Sequence, residues 1–153
     1  MADDASAEIV RLAAVVGIVR VTRARRGEVL AMTVASFHPR RRQVTVRRGK
    51  FEQLFTAPVD DDLHAVLARW VRVRGRLIAE NVEGGAVNAL FVTCHHTVWR
   101  GRFKQVGLPL EPRGLDASWR RWAARTNAQQ VGAYGWEPLP ARFEQVRRAW
   151  IDD

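Results

Sequence analysis

The stretch Trp70-Val71-Arg72-Val73-Arg74-Gly75-Arg76-Leu77-Ile78 governs how this chain is read. Apolar and cationic residues alternate along it, and a period of two marks a β-strand with one buried face. Val71, Val73, Gly75 and Leu77 then face a core, while Trp70, Arg72, Arg74 and Arg76 face outward. The three arginines stand in a row about 7 Å apart, comparable with successive phosphates on an extended polynucleotide. Trp70 has two readings. It opens the row as a stacking platform, or it continues the helical spacing of Leu63, Val66 and Leu67 before it.

Working outward, the flanking segments also read as strands. Ile9 to Thr22 is rich in β-branched residues, with Gly17 as a bend near its centre. Arg23 to Glu28 makes a charged hairpin tip, and Val29 to Phe37 a second strand ended by His38-Pro39-Arg40-Arg41-Arg42. Gln43 to Arg48 is a third strand with Val44 and Val46 on one face, followed by a helical turn at Phe51 to Phe55. A helix begins near Pro58, where Asp60, Asp61 and Asp62 complement the macrodipole. Beyond Ile78, Glu83-Gly84-Gly85 turns the chain into a long last strand, Ala86 to Trp99.

The expected fold is therefore mostly β. A five-stranded barrel occupies residues 9–100, with a helix between strands three and four, after an N-terminal tail at 1–8. Residues 101–153 form a Trp-rich helical extension packed on the barrel. In it Trp119, Trp122 and Ala123 share one helix face, and Phe143, Val146 and Trp150 another after Pro140.

Composition narrows the function. The 153 residues carry 25 Lys plus Arg against 16 Asp plus Glu, a net of +9 that creates a field attractive to polyanions. The apolar run Leu12 to Val19 is too short to span a bilayer, and the acidic start does not resemble a secretory signal. Cys94 stands alone, so the chain forms no internal disulfide. A cytoplasmic protein without membrane contact is expected. Cys94-His95-His96 offers at most two ligands on one strand face, short of a zinc site. No phosphate-binding glycine loop, nucleophile triad or carboxylate pair is recognisable. The sequence predicts no catalytic residue, no metal and no cofactor, hence a protein that is not an enzyme.

Five strands with a helix after the third, and a glycine-bent first strand, make the pattern of the OB-fold, a small Greek-key barrel. Val15-Val16-Gly17-Ile18-Val19, Arg26-Gly27-Glu28-Val29, Val44-Thr45-Val46-Arg47-Arg48-Gly49-Lys50-Phe51 and Trp70 to Leu77 resemble successive strands of the bacterial single-stranded DNA-binding protein family. The similarity spans about residues 12 to 95. The longer helical insert and the absence of a Gly/Pro/Gln-rich tail mark a divergent or specialised relative. The resemblance implies a non-catalytic binder of single strands, DNA favoured over RNA, with a cationic groove for phosphates and flat groups for bases.

The residues read as that groove are Arg23, Arg25 and Arg26 at one tip, Phe37 and Arg40, Arg41 and Arg42 at another, and Arg47, Trp70, Arg72, Arg74 and Arg76 on the strands. Two other readings remain open here. The barrel is an RNA-binding OB-fold protein, or it is a protein-interaction and assembly module. In the second case the chain docks a protein partner through its C-terminal extension, and the arginine row pairs with acidic residues across a homo-oligomer interface.

Overall fold

The computed structural model describes residues 2–151. Its centre is a helix, α1 (Ala2–Thr22), where the sequence predicted the first strand. Val15, Ile18 and Val19 are fully buried, and so is Ala14. The helix touches a second long helix α3 (Asp61–Asn81), the strand β3 (Gln53–Pro58), and two C-terminal helices, α4 (Pro112–Gln130) and α5 (Phe143–Ile151). A helix covered on most sides is apolar on most sides, so it carries no amphipathic stripe to distinguish it from a buried strand.

Gly17 is the contact point of α1 and α3 rather than a strand bend. A Cβ at this position would lie 2.4 Å from Leu63 Cδ1, so a larger residue would oblige the Leu63 side chain to move.

The segment around Trp70 is the interior of α3. Its buried face is Leu63, Leu67, Trp70, Arg74 and Ile78, a spacing of three and four residues. Asp60 caps the helix, accepting a hydrogen bond from the Leu63 N–H at 2.8 Å, and Asp61 and Asp62 fill its first turn. The Val–Arg alternation is thus laid over a helical surface.

The sheets are small. β1 (Phe37–His38), β2 (Gln43–Arg48) and β3 form an antiparallel sheet in that order. Val44 and Val46 point into the core opposite Ala57 and Phe55. β4 (Thr97–Trp99) and β5 (Arg102–Lys104) form a separate two-stranded ribbon. The expected five-stranded OB-like barrel is therefore not the fold: the chain is an α/β structure built around α1 and α3. Three further segments differ in kind. Val29 to Phe37 holds the end of a short helix α2 (Arg26–Leu30), a 3-10 turn and the start of β1. Phe51 to Phe55 leads into β3. Of the expected last strand, Ala86 to Trp99, only the end is strand; residues 86–96 are irregular, held by single bridges Thr33↔Ala89 and Val92↔Pro109.

This irregular stretch is nonetheless core. Leu90, Phe91 and Val92 are fully buried. Their backbone is satisfied by neighbours: Leu90 N–H donates to Met32 O at 3.0 Å, and Leu110 N–H to Phe91 O at 3.0 Å.

α4 and α5 fall in the part of the chain where helices are expected, but they pack against α1 and not on a barrel. Trp119, Ala123, Phe143 and Val146 belong to the same apolar cluster as α1 and α3. Trp119 donates its indole N–H to Pro140 O at 2.9 Å, which ties the α4–α5 connection to α4. α1 starts at Ala2, inside the segment read as a tail, and the boundary expected at residue 100 falls in the β4–β5 turn. Among the described residues no helix is long and apolar enough to cross a membrane, and no group of three His, Cys, Asp or Glu is placed to hold a metal ion.

Candidate nucleic-acid interface

A cleft of about 1600 Å³ opens between the α1–α2 turn, the β2–β3 hairpin, α4 and α5. Four separate elements supply its cations. Arg23, Arg25 and Arg26 come from the turn, Arg48 and Lys50 from the hairpin, Arg120 from α4, and Arg142, Arg147 and Arg148 from α5 and its approach. Glu28, Asp116 and Glu144 are the carboxylates among the described lining residues.

The carboxylates hold the frame. Glu28 Oε1 accepts from Arg25 N–H at 2.8 Å, and its Oε2 accepts from Gly49 N–H at 2.7 Å. One side chain thereby fixes the hairpin turn, with Lys50, beside the α1–α2 turn. Asp116 pairs with Arg26, joining α4 to α2. Glu144 pairs with Arg147 at 2.9 Å, and Arg147 Nε donates to Arg23 O at 2.8 Å, so α5 is pinned to the end of α1. Arg48 donates to Thr22 O at 2.7 Å, with its guanidinium 3.7 Å from the Phe55 ring centroid.

The remaining cations face the opening. Arg25, Lys50, Arg120, Arg142 and Arg148 are exposed and make no ion pair among the described residues. Like charges held together around a concave surface raise the local potential and draw in a polyanion. The described lining holds no Ser, Thr, Tyr, Cys or His, so what it offers is charge and hydrogen-bond donors. Arginine forks match phosphate oxygens bidentately, and lysine adds a point charge.

The structure brings together part of the predicted set. Arg23, Arg25 and Arg26 line the cleft. Arg23 sits at φ 59, the left-handed conformation that ends α1. Arg40, Arg41 and Arg42 are exposed on the β1–β2 turn, outside the cleft lining, and Arg42 pairs with Asp61. Arg47 is exposed on β2, also outside that lining.

The arginine row does not exist. Arg72 and Arg76, four residues apart on a helix, share an exposed face of α3. Arg74 turns the opposite way, is buried, and donates to Ala89 O at 2.9 Å and Val87 O at 2.5 Å. Both aromatics are also core. Phe37 is 6% exposed and edges onto the His64 ring. Trp70 is 0% exposed, lies 6.1 Å from Phe91 in a stacked pair, and donates to Leu90 O at 2.9 Å. Of its two readings, the helix face is the one the structure has. Cys94 is buried, His95 bonds Glu8 at 2.7 Å, and His96 stacks on Phe103.

Sequence reasoning missed Arg48, Lys50, Arg120, Arg142, Arg147 and Arg148. A signal was present: the polar faces of the two C-terminal helices are dominated by arginine. Nothing local, however, says that α5 closes against a turn more than a hundred residues earlier.

With this geometry in place, the chain is similar in structure to XerA recombinase over 98% of its length, with a TM-score of 0.58 and 14% sequence identity. It spans 47% of the recombinase chain, a little under half. No protein-family model matches the sequence. No curated protein matches it by sequence.

Proposed function

We propose that the chain is a DNA-binding module that grips the phosphodiester backbone in the cleft between the α1–α2 turn, the β2–β3 hairpin, α4 and α5, without itself breaking bonds. The observation that carries this reading is the convergence of Arg25, Lys50, Arg120, Arg142 and Arg148, exposed and outside any ion pair among the described residues. The recombinase likeness supports DNA as the polyanion, as a likeness of fold.

Duplex is the form that suits the cleft. Single-strand binders need flat side chains on which bases stack. Phe37 and Trp70 are buried, Phe143 is 2% exposed, and Phe55 lies under the Arg48 guanidinium. The cleft therefore reads backbone charge, and a duplex presents backbone with its bases already stacked.

The test is fluorescence anisotropy with duplex DNA, single-stranded DNA and single-stranded RNA of equal length across a salt series. Arg25→Ser with Arg142→Ser should weaken duplex binding and flatten the log–log salt slope by about 0.9 per lost contact. The melting temperature should hold, because both side chains are exposed. Absence of binding at low salt, or a double variant with wild-type affinity and slope, would overturn the reading. Tighter binding to single strands than to duplex would overturn the duplex preference.

A further inference from the structure

Residues 96–104, His96-Thr97-Val98-Trp99-Arg100-Gly101-Arg102-Phe103-Lys104, contain cationic side chains and no carboxylate. They build the β4–β5 ribbon, which stands apart from the three-stranded sheet. Its turn is two residues long, with Arg100 at φ 50 and Gly101 at φ 74. Two consecutive left-handed residues make the tight turn whose twist matches a hairpin.

Register divides the ribbon into two faces. Thr97 pairs with Lys104, and Lys104 Nζ donates to Pro109 O at 2.8 Å and lies 3.5 Å from Glu111 Oε1. That face is tied to the start of α4. Val98 pairs with Phe103 on the other face, where they are 71% and 64% exposed. The Phe103 ring is held by His96, 5.4 Å away and nearly parallel. Arg102, two residues from Lys104, is exposed on the Lys104 side of the ribbon, and Arg100 is exposed at its turn.

An apolar pair left in water, with exposed arginines at the turn and on the opposite face, fits a surface that offers both phosphates and apolar contacts. The grooves of duplex DNA have that character, with phosphates at the rims and base edges and thymine methyls at the floor. A major groove admits a two-stranded ribbon. Position agrees. Glu111, at the foot of the ribbon, precedes Asp116 of the cleft lining by five residues, about 7.5 Å along a helix axis.

From these observations we infer that the β4–β5 ribbon is a second DNA-contacting element, entering a groove of the duplex whose backbone lies in the cleft. The inference rests on the cleft reading above. Arg100 and Arg102 contact the rim phosphates, and Val98 and Phe103 meet base edges.

The experiment uses the full chain and the same duplex. Arg100→Ser with Arg102→Ser should lower affinity at least tenfold near 100 mM salt and reduce the log–log slope by about 1 to 2. Phe103→Ser should lower affinity several-fold with the slope unchanged. A benzophenone photocrosslinker in place of Phe103 should crosslink to duplex DNA, a readout that needs no stability comparison. Wild-type affinity in both ribbon variants and no crosslink, with the Arg25/Arg142 variant weakened, would overturn the ribbon and leave the cleft. No duplex binding by the unaltered protein would overturn both.

Discussion

Replacing Glu8 by glutamine probes how α1, α4 and the buried Leu90–Cys94 stretch are fastened together. The Glu8 side chain is 17% exposed and accepts hydrogen bonds from the Ser118 hydroxyl, from His95 Nε2 at 2.7 Å and from Arg121 at 2.6 Å. Arg11, 3% exposed, completes the group by donating to Ser118 Oγ at 3.0 Å and Val92 O at 2.9 Å. Burial pushes the Glu8 carboxyl up, but the bonds from Ser118, His95 and Arg121 together outweigh it and hold the pKa at about 2, from 4.5.

Because the folded pKa lies below the unfolded one, the stabilisation is fully present above about pH 4.5 and is lost as pH falls towards 2. At about 1.4 kcal/mol per tenfold difference the ceiling is roughly 3 kcal/mol. Arg121 is 57% exposed, so solvent screening brings the expected figure to about 1–2 kcal/mol. Urea unfolding of the wild type and Glu8→Gln from pH 7 to pH 2 measures it. The variant should be less stable by that amount at pH 7, and the two curves should converge near pH 2. Other carboxylates, Asp60 included, are common to both proteins and cancel in the difference. A gap that stays constant over this range, or no gap at pH 7, would refute the reasoning.

Trp70→Ala should cost about 3–5 kcal/mol in chemical unfolding while the folded fraction keeps its DNA affinity, because the indole is core and leaves Leu90 O without its donor. Gly17→Ala should cost about 1–3 kcal/mol by overpacking, and less when made in a Leu63→Ala background, since Leu63 Cδ1 is the atom the new methyl meets. Arg23→Gly should raise stability by about 1 kcal/mol in thermal unfolding, by relieving a left-handed arginine, yet weaken duplex binding several-fold.

Where local chemistry and tertiary role agree, the sequence is legible. β2 alternates Val44 and Val46 inward, α4 and α5 carry their aromatics at helical spacing, and Asp60 stands at the start of α3. α1 and α3 are opaque for different reasons. α1 is apolar on most faces and rich in Val and Ile, which suits a buried strand equally well. α3 has an arginine, Arg74, in the middle of its buried face. That arginine is accommodated by the carbonyls of Val87 and Ala89, partners supplied by an irregular segment that no local pattern announces. Once α3 is read as a strand, Arg72, Arg74 and Arg76 line up, and a groove follows that the helix does not possess. The basic tip Arg23-Ala24-Arg25-Arg26 was legible as charge. Its conversion into a cleft depends on Arg147 reaching Arg23 O across most of the chain.

The central place of α1 also sets a condition on synthesis. It is the first of these elements to emerge, yet its covers α3, α4 and α5 follow only from Asp61 to Ile151. At ordinary translation speeds the interval between Thr22 and Phe143 lasts on the order of ten seconds. During it Val15, Ile18 and Val19 lack much of their native surroundings, so nascent chains halted before α5 should be protease-sensitive and retained by holdase chaperones. The cover of α1 is thus completed by α5, the last of these elements to be made.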